Sequence, residues 1–162
     1  MTIQAKNLVE LLKASGKTCA TAESCTGGMI GSLITAVPGA SKVFYGGIIS
    51  YDNSVKKNVL GVEKNVLEEY GAVSKECVEQ MAIGARKALN TTYAIATSGI
   101  AGPSGGTPDK PVGTVWIAWA TPEGTIAECF KFGVARERKQ ITQRAVTTAL
   151  VKMIHIIQGK TN

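Results

Sequence analysis

Short apolar runs alternate with segments of helical periodicity through the first two-thirds of the chain, and this alternation restricts the fold most strongly. Strands are predicted at 18–22, 43–51 and 93–97, and at least one helical segment separates each strand from the next. Further along, 113–120 and 125–132 are predicted to form a β-hairpin around a Pro-Glu-Gly turn. This order predicts an α/β fold with three α/β/α layers, in which helices cover both faces of a mixed, mainly parallel sheet with a late β-hairpin.

The predicted helices are recognised by apolar residues at helical spacing and by cap residues at their ends. They cover residues at about 3–14, about 26–37, a short segment that carries Lys56, about 63–70, a longer helix capped by Ser74, and about 136–157. The chain has 162 residues and shows no internal repeat, so we expect a single domain over residues 1–162.

Composition argues against several classes of protein. No apolar run approaches the ~20 residues of a membrane span, and the first residues lack the layout of a secretion signal, so we expect a cytoplasmic protein without membrane contact. The four cysteines form no Cys-x-x-Cys pair and the only histidine is His155, so no metal site is expected. The net charge of +6 comes from dispersed basic residues, which suit a phosphate-bearing small molecule as well as nucleic acid, and no nucleic-acid partner is expected.

Residues 20–28, with the sequence ATAESCTGG, are typical of a buried strand that runs into the start of a helix. Thr26 is the predicted N-cap, and the two glycines after it allow another group to approach the backbone closely. Ser24 is then placed where free N–H groups and the positive end of a helix dipole converge, which suits an anion or an oxyanion. Taken alone, the stretch also fits a polar turn without chemistry. Cys25 is a weaker candidate, a thiol whose pKa a helix start would lower.

Polar side chains follow three of the predicted strands: Ser24, then Tyr51 with Lys56, then Ser98. In an α/β sheet, the carboxyl ends of neighbouring strands face one crevice. A serine nucleophile needs a base, and because the histidine is distant, a desolvated lysine is the available one. We therefore expect Lys56 to lie within hydrogen-bond reach of Ser24 and to be partly neutral. The alternatives are a solvated Lys56, a Tyr51 that packs on the sheet, and a Ser98 that only begins the following loop.

The longest irregular segment, 98–111, follows the nearly all-apolar strand at 93–97. A loop of this length after a central strand usually carries function or acts as a lid. Whether residues 99–111 close over a ligand is left open by the sequence.

Several motifs together resemble the CinA C-terminal domain family. They occur in the family's order over roughly residues 4–157: TAESCTGG at 21–28, Tyr51 with Lys56, GAVS at 71–74, SGIAGP at 98–103 and KPVGTVW at 110–116. This family includes stand-alone nicotinamide-nucleotide amidohydrolases of the PncC type, which hydrolyse the carboxamide of nicotinamide mononucleotide to nicotinate mononucleotide and ammonia. The resemblance implies a three-layer α/β/α fold, a homo-oligomer (a dimer or larger), no metal and no cofactor.

Carried over to this sequence, the resemblance makes Ser24 the nucleophile, Lys56 its base, and Tyr51 and Ser98 supporting hydrogen-bonding groups. The last helix would supply an arginine to the substrate. The family often shows Gly-Asp-Arg before this helix, whereas this chain has Arg-Glu-Arg at 136–138. An ungapped match selects Arg138, and Arg136 stays open. The residues expected to bind substrate or to hold the oxyanion are Thr26, Gly27, Gly28, Gly99, Ala101, Gly102 and Arg138.

The chemistry of these groups agrees with that activity. Glycine backbone and an arginine suit a 5′-phosphate, and Tyr51 is expected to face the pyridinium cation. We therefore expect a nicotinamide mononucleotide deamidase of pyridine-nucleotide salvage, with a small-molecule nucleotide as substrate. The alternative is a catalytically silent nucleotide-binding module of the same fold, and the presence of both Ser24 and Lys56 favours the enzyme. Nucleic-acid binding, suggested only by the charge, is a third hypothesis.

Overall fold

The structure, a computed structural model, describes residues 2–133 and 137–160. The helices of the described chain are α1 (Ile3–Ser15), α2 (Met29–Thr35), α3 (Asn53–Asn58), α4 (Lys64–Glu69), α5 (Lys75–Ala88) and α6 (Arg138–Ile157), and a 3₁₀ turn covers Ala40–Lys42. The strands are β1 (Cys19–Glu23), β2 (Phe44–Ile49), β3 (Tyr93–Gly99), β4 (Thr114–Thr121) and β5 (Gly124–Lys131).

The five strands form one mixed sheet in the order β2-β1-β3-β4-β5. Strand β1 pairs in parallel with β2 and with β3, whereas β3–β4 and β4–β5 are antiparallel. The predicted mixed sheet and the predicted late hairpin are confirmed. Among the described strands, β2, β1, β3 and β5 run in one direction and β4 runs in the opposite direction. The reason is that β4 follows β3 without a crossover helix, since the intervening loop only reverses the chain.

The two faces of the sheet are covered by different helices, which confirms the three layers. Helices α1, α2 and α6 pack on one face around large side chains such as Trp119, whose indole N–H donates to the carbonyl of Ala149 at 2.9 Å. Helix α5 packs on the other face, against small side chains. These small side chains are Ala20, Ala22, Ala94, Ala96, Ala118 and Ala120. Because alanine adds little thickness to a sheet, α5 lies close to the strands.

The parallel strands bring three chain segments to one edge of the sheet. Glu23, the last residue of β1, pairs with Ile49 of β2 and with Thr97 of β3, so the three strands end at nearly the same level. Ser24 follows β1, Tyr51 follows β2, and Ser98 lies near the end of β3. Within residues 2–133 and 137–160, no helix has both the length and the apolar character that a membrane crossing requires.

The start of α2 differs from the prediction. The helix begins at Met29 rather than near residue 26, and its N-cap is Gly28, at a φ of 93°. Thr26 is therefore not the N-cap, and the prediction of its capping role was wrong. The physical reason is that the buried carboxylate of Glu23 already accepts hydrogen bonds from the amides of Gly28 and Ile30. A charged acceptor is stronger than a hydroxyl at a helix start.

Candidate active site

A cleft of about 340 Å³ lies at the carboxyl ends of the parallel strands. Its walls come from the turn after β1, the start of α3, the turn before α5, the loop after β3 and the first residue of α6. It brings together most of the residues that the sequence singled out, namely Ser24, Tyr51, Lys56, Ser98, Gly99, Ala101, Gly102 and Arg138. Thr26, Gly27 and Gly28 are not among the residues that line it.

Lys56 reaches Ser24 across the cleft floor. Its Nζ lies 3.2 Å from Ser24 Oγ, 2.7 Å from the carbonyl oxygen of Ser50 and 3.3 Å from that of Tyr51. The carboxylate of Asp52 accepts from the amide of Ser54 at 2.8 Å and starts α3. Lys56 then lies one turn into this short helix, close to the strand ends. The lysine side chain is 1% exposed, so the ammonium form has little access to water.

Burial lowers the pKa of Lys56 from its ordinary value, because desolvation penalises the charged amine. In the part of the chain that the structure describes, no carboxylate forms an ion pair with it. A neutral amine has two N–H groups and one lone pair. If the carbonyls of Ser50 and Tyr51 accept the two N–H groups, the lone pair faces the Ser24 hydroxyl. The arrangement can therefore remove a proton from Ser24.

Ser98 lies on the wall of the cleft and is 1% exposed. Its hydroxyl donates to the carbonyl of Ala72 at 2.7 Å, which ties the end of β3 to the turn before α5. The hydroxyl proton is thus engaged by the protein, and only the oxygen lone pairs are left to accept a further hydrogen bond.

Arg138 and Tyr51 form the mouth of the cleft. Arg138 Nη1 donates to the carbonyl of Gly102 at 3.0 Å, and Nη2 donates to the Tyr51 hydroxyl at 2.9 Å. Both acceptors are neutral, and among the described residues no carboxylate pairs with Arg138. The guanidinium therefore presents an uncompensated positive charge to the cleft. Tyr51 is 62% exposed, so it does not pack within the sheet. The competing Arg136 lies outside the described residues.

The sequence proposed two loops as sources of amides that hold an oxyanion, and these amides differ in whether they already have an acceptor. The amide of Gly27 donates to the carbonyl of Ser24 at 3.1 Å, and the amide of Gly28 donates to Glu23 at 3.1 Å, so both are already bonded. The amides of Ala101 and Gly102 have no acceptor among the described residues, and both residues line the cleft. The amide of Cys25, directly after Ser24, likewise has no acceptor among the described residues, and Cys25 also lines the cleft. Free donors at the site therefore come from the loop after β3 and from Cys25, whereas Gly27 and Gly28 are already bonded.

Two features of the site were not anticipated from the sequence. Glu23 received no role, although an acid placed between an apolar strand and a helix start is a recognisable signal for a helix-capping carboxylate. Cys25 was expected to have a lowered pKa, and this is wrong: burial raises the pKa of its thiol to about 12. Among the described residues, no group of three or more His, Cys, Asp or Glu side chains is arranged so that it could hold a metal ion.

The family model of the CinA C-terminal domain matches residues 2–157 of this sequence. This chain belongs to the CinA C-terminal domain family. A CinA-like protein from Trichormus variabilis is 49% identical over 142 residues, which are 87% of this chain and 34% of that protein. A CinA-like protein from Thermotoga maritima is 45% identical over 153 residues, 94% of this chain and 37% of that protein. The chain thus spans about a third of the length of these curated relatives, whose names state no enzymatic activity.

Solved structures of CinA proteins share the fold over nearly their whole length. The competence/damage inducible protein CihA from Agrobacterium tumefaciens superposes with a TM-score of 0.91 at 36% identity, and the match covers 96% of this chain and 93% of that one. A CinA superfamily protein from Klebsiella pneumoniae superposes with a TM-score of 0.92 at 30% identity, covering 96% of both chains. The α/β fold with a five-stranded mixed sheet is therefore the CinA fold.

Proposed function

We propose that this chain is an amidohydrolase that converts nicotinamide mononucleotide to nicotinate mononucleotide and ammonia, and that it acts in pyridine-nucleotide salvage. The observation that carries the proposal is the distance of 3.2 Å between the buried amine of Lys56 and the hydroxyl of Ser24. A buried lysine whose partners are all neutral has the lowered pKa that a general base requires.

The first half of the reaction is acylation. Neutral Lys56 takes the proton of Ser24 while Ser24 Oγ attacks the carboxamide carbon. The charge that develops on the carboxamide oxygen is stabilised by the amides of Ala101 and Gly102, and one such donor contributes about 10²–10³ in rate. Protonated Lys56 then gives its proton to the departing nitrogen, so that ammonia leaves and an ester on Ser24 remains.

The second half is hydrolysis of that ester. A water molecule takes the place of ammonia, and neutral Lys56 removes one of its protons as the water oxygen attacks the ester carbon. When the carbon–oxygen bond to Ser24 breaks, Lys56 returns the proton to Ser24 Oγ. The product acid gives up its proton to the released ammonia, so that a carboxylate and an ammonium ion leave and both side chains are restored to their starting states.

Recognition of the substrate is assigned to the mouth of the cleft. The guanidinium of Arg138, which pairs with no described carboxylate, suits the 5′-phosphate. The exposed ring of Tyr51 suits the pyridinium cation. A cavity of about 340 Å³ lies at the small end of the range of ligand pockets, in keeping with a mononucleotide that protrudes partly into solvent.

The test is ammonia release from nicotinamide mononucleotide by the purified chain in the presence of EDTA. We expect Ser24→Ala to lower kcat by at least about 10³-fold, because the covalent route is lost. Ser41→Ala, which removes an exposed serine outside the cleft, is the matched control and should leave kcat unchanged. If the unmodified chain releases no ammonia, the proposed activity is refuted. If Ser24→Ala is as active as the parent chain, the activity stands and the mechanism is wrong.

A second candidate function is nucleotide binding without turnover. The observation that favours it is Arg138 at the mouth, whose hydrogen-bond acceptors are neutral and which pairs with no carboxylate among the described residues, so that it would bind a phosphate whether or not Ser24 reacts. Binding of nicotinamide mononucleotide by calorimetry without any release of ammonia would select this function over the amidohydrolase.

A further inference from the structure

The residue directly before Ser24 is a buried carboxylate that takes no part in the cleft. Glu23 is 1% exposed, and its two oxygens accept four hydrogen bonds. The donors to Oε2 are Thr26 Oγ1 at 2.7 Å, the amide of Ile30 at 3.0 Å and the amide of Gly28 at 3.1 Å, and the donor to Oε1 is the amide of Gly31 at 2.8 Å.

These donors are the groups that a helix start leaves without partners. The first amides of a helix have no intrahelical acceptor, and they carry the positive end of the helix dipole. Gly28, the N-cap of α2, has no side chain to accept from them. Glu23 therefore caps α2 from the neighbouring strand, and it does so with a full negative charge.

The same carboxylate also holds the turn that carries Ser24. The hydroxyl of Thr26 donates its only proton to Glu23, so in its contact of 2.8 Å with Thr97 Oγ1 it is the acceptor. The amide of Ser24 donates to the carbonyl of Thr97 at 3.0 Å. The turn is thus fastened at one end to β3 and at the other end to Glu23.

We propose that Glu23 is a positioning residue for Ser24, and that its negative charge, beyond its bulk, holds the turn that directs Ser24 Oγ at Lys56 Nζ. The proposal rests on the proposed function only in taking Ser24 as the nucleophile. It also explains why the start of α2 is not the anion site of the cleft: the protein's own carboxylate already occupies those amides.

A charge-preserving rescue is possible because a cavity of about 210 Å³ adjoins Glu23. It is lined by Glu23 together with Thr21, Gly28, Gly31 and Gly47, and the Thr21 hydroxyl is buried without a hydrogen-bond partner among the described residues. Truncation of Glu23 to alanine would join the space of the lost side chain to this cavity. A formate ion is small enough to enter and to accept from the vacated amides.

The experiment uses Glu23→Gln and Glu23→Ala with two readouts. The first is kcat and KM for ammonia release. The second is the rate at which a fluorophosphonate labels Ser24, measured by mass spectrometry, which needs no nucleotide. Thr2→Ala is the matched control. The Thr2 hydroxyl caps α1 by accepting from the amide of Ala5 at 3.3 Å, so this variant also loses a helix cap, but at a different helix.

We expect both Glu23 variants to lose about 10²-fold in kcat and in labelling rate, because a nucleophile misplaced by about 1 Å costs that much. KM should change by less than about threefold, since the residues at the mouth are untouched. Formate should raise both rates of Glu23→Ala by about tenfold or more and leave Glu23→Gln unchanged, because the amide side chain still fills the space. Thr2→Ala should lower the melting temperature and leave both rates unaltered.

Wild-type rates in Glu23→Gln would overturn the proposal, and so would a rate loss in Glu23→Ala that formate does not reverse. Should both Glu23 variants fail to fold, Thr26→Val removes one donor to the carboxylate while keeping its shape, and an undiminished labelling rate would then refute the proposal. A parent chain whose Ser24 is labelled but which releases no ammonia would refute the nucleotide substrate and leave the role of Glu23 to the labelling arm. A parent chain that shows neither reaction would overturn both proposals.

Discussion

Glu23 and Ser24 are neighbours in the chain, yet they belong to two different surroundings. On the side of α2, both oxygens of Glu23 are bonded by donors of the protein. On the side of the cleft, the amine of Lys56 faces two carbonyls and the Ser24 hydroxyl, and its described neighbours form no ion pair with it. The comparison shows how a fold separates structure from chemistry: the Glu23 carboxylate has a donor on each oxygen and fixes the start of α2, whereas the Lys56 amine has neutral hydrogen-bond partners and burial lowers its pKa.

The largest effect is expected from Lys56→Met, which keeps the length of the side chain and removes the proposed base. We expect kcat for ammonia release to fall by at least about 10³-fold, because within residues 2–133 and 137–160 no other basic side chain contacts Ser24 Oγ. In the parent chain, kcat should rise with pH to a plateau, with an apparent pKa below the ordinary lysine value of 10.5, since the neutral amine is the active form. A pH-independent kcat in the parent chain would contradict the assignment of Lys56 as the base.

The same variant has a stability signature. The pKa of Lys56 is lowered in the folded chain, so the unfolded chain binds the proton more readily and the parent gains free energy of unfolding as pH rises towards 10.5. Lys56→Met lacks this gain. Its stability relative to the parent should therefore be highest at neutral pH and should decline at alkaline pH. Chemical denaturation at neutral and at alkaline pH measures the difference in free energy of unfolding between Lys56→Met and the parent chain. A difference that stays constant with pH would contradict a lowered pKa of Lys56 in the folded chain.

A smaller effect is expected from Arg138→Gln, which alters recognition and leaves the Ser24–Lys56 pair intact. We expect KM for nicotinamide mononucleotide to rise about 10–100-fold with kcat within about threefold, because phosphate binding is the same in the ground state and the transition state. Arg144→Gln, on the same helix but outside the cleft, is the matched control. With nicotinamide riboside, which lacks the phosphate, Arg138→Gln should have no further effect. An equal loss on both substrates would show that Arg138 does not bind the phosphate.

The smallest effect is expected from Cys25→Ala, because Cys25 shares the turn with Ser24 and is chemically silent. Burial raises its thiol pKa to about 12, so the thiolate is scarce at neutral pH. We expect kcat to change by less than about threefold. In the parent chain at pH 8, iodoacetamide should modify the exposed Cys129 well before Cys25. Mass spectrometry measures the two modification rates, and a rate at Cys25 as high as that at Cys129 would contradict the burial of Cys25.

Much of the fold was predictable because its signals are local. The apolar strands, the cap of α5 at Ser74 and the hairpin of β4 and β5 are each determined by residues close in the chain. The approach of Ser24 and Lys56 was also predictable, although 32 residues separate them, because parallel strands present their carboxyl ends at a common edge. The roles of Tyr51, Ser98 and Arg138 in catalysis and recognition stay predictions that the experiments above test.

The start of α2 was not predictable from local signals. Thr26 fits the rules for an N-cap, and the two glycines fit those for an anion loop, but Glu23 reaches the same amides through space and is the stronger acceptor. A sequence pattern ranks a residue by its neighbours in the chain, whereas competition between acceptors is decided by distance and burial. Which backbone amides of the two loops are free, those of Cys25, Ala101 and Gly102, became apparent only from the hydrogen bonds of the described residues.

The sequence by itself therefore determined the layers, the common edge at which the parallel strands end and the approach of Lys56 to Ser24, since hydrophobic periodicity and turn chemistry act over short stretches. Only the tertiary structure decided which of the polar groups at this edge bond to the start of α2 and which face the cleft. It assigned Glu23 to the helix, and it left Lys56 with neutral partners beside Ser24. Hydrogen bonding and desolvation depend on which atoms meet in three dimensions, and the buried amine acquires its lowered pKa only when the chain has closed around it.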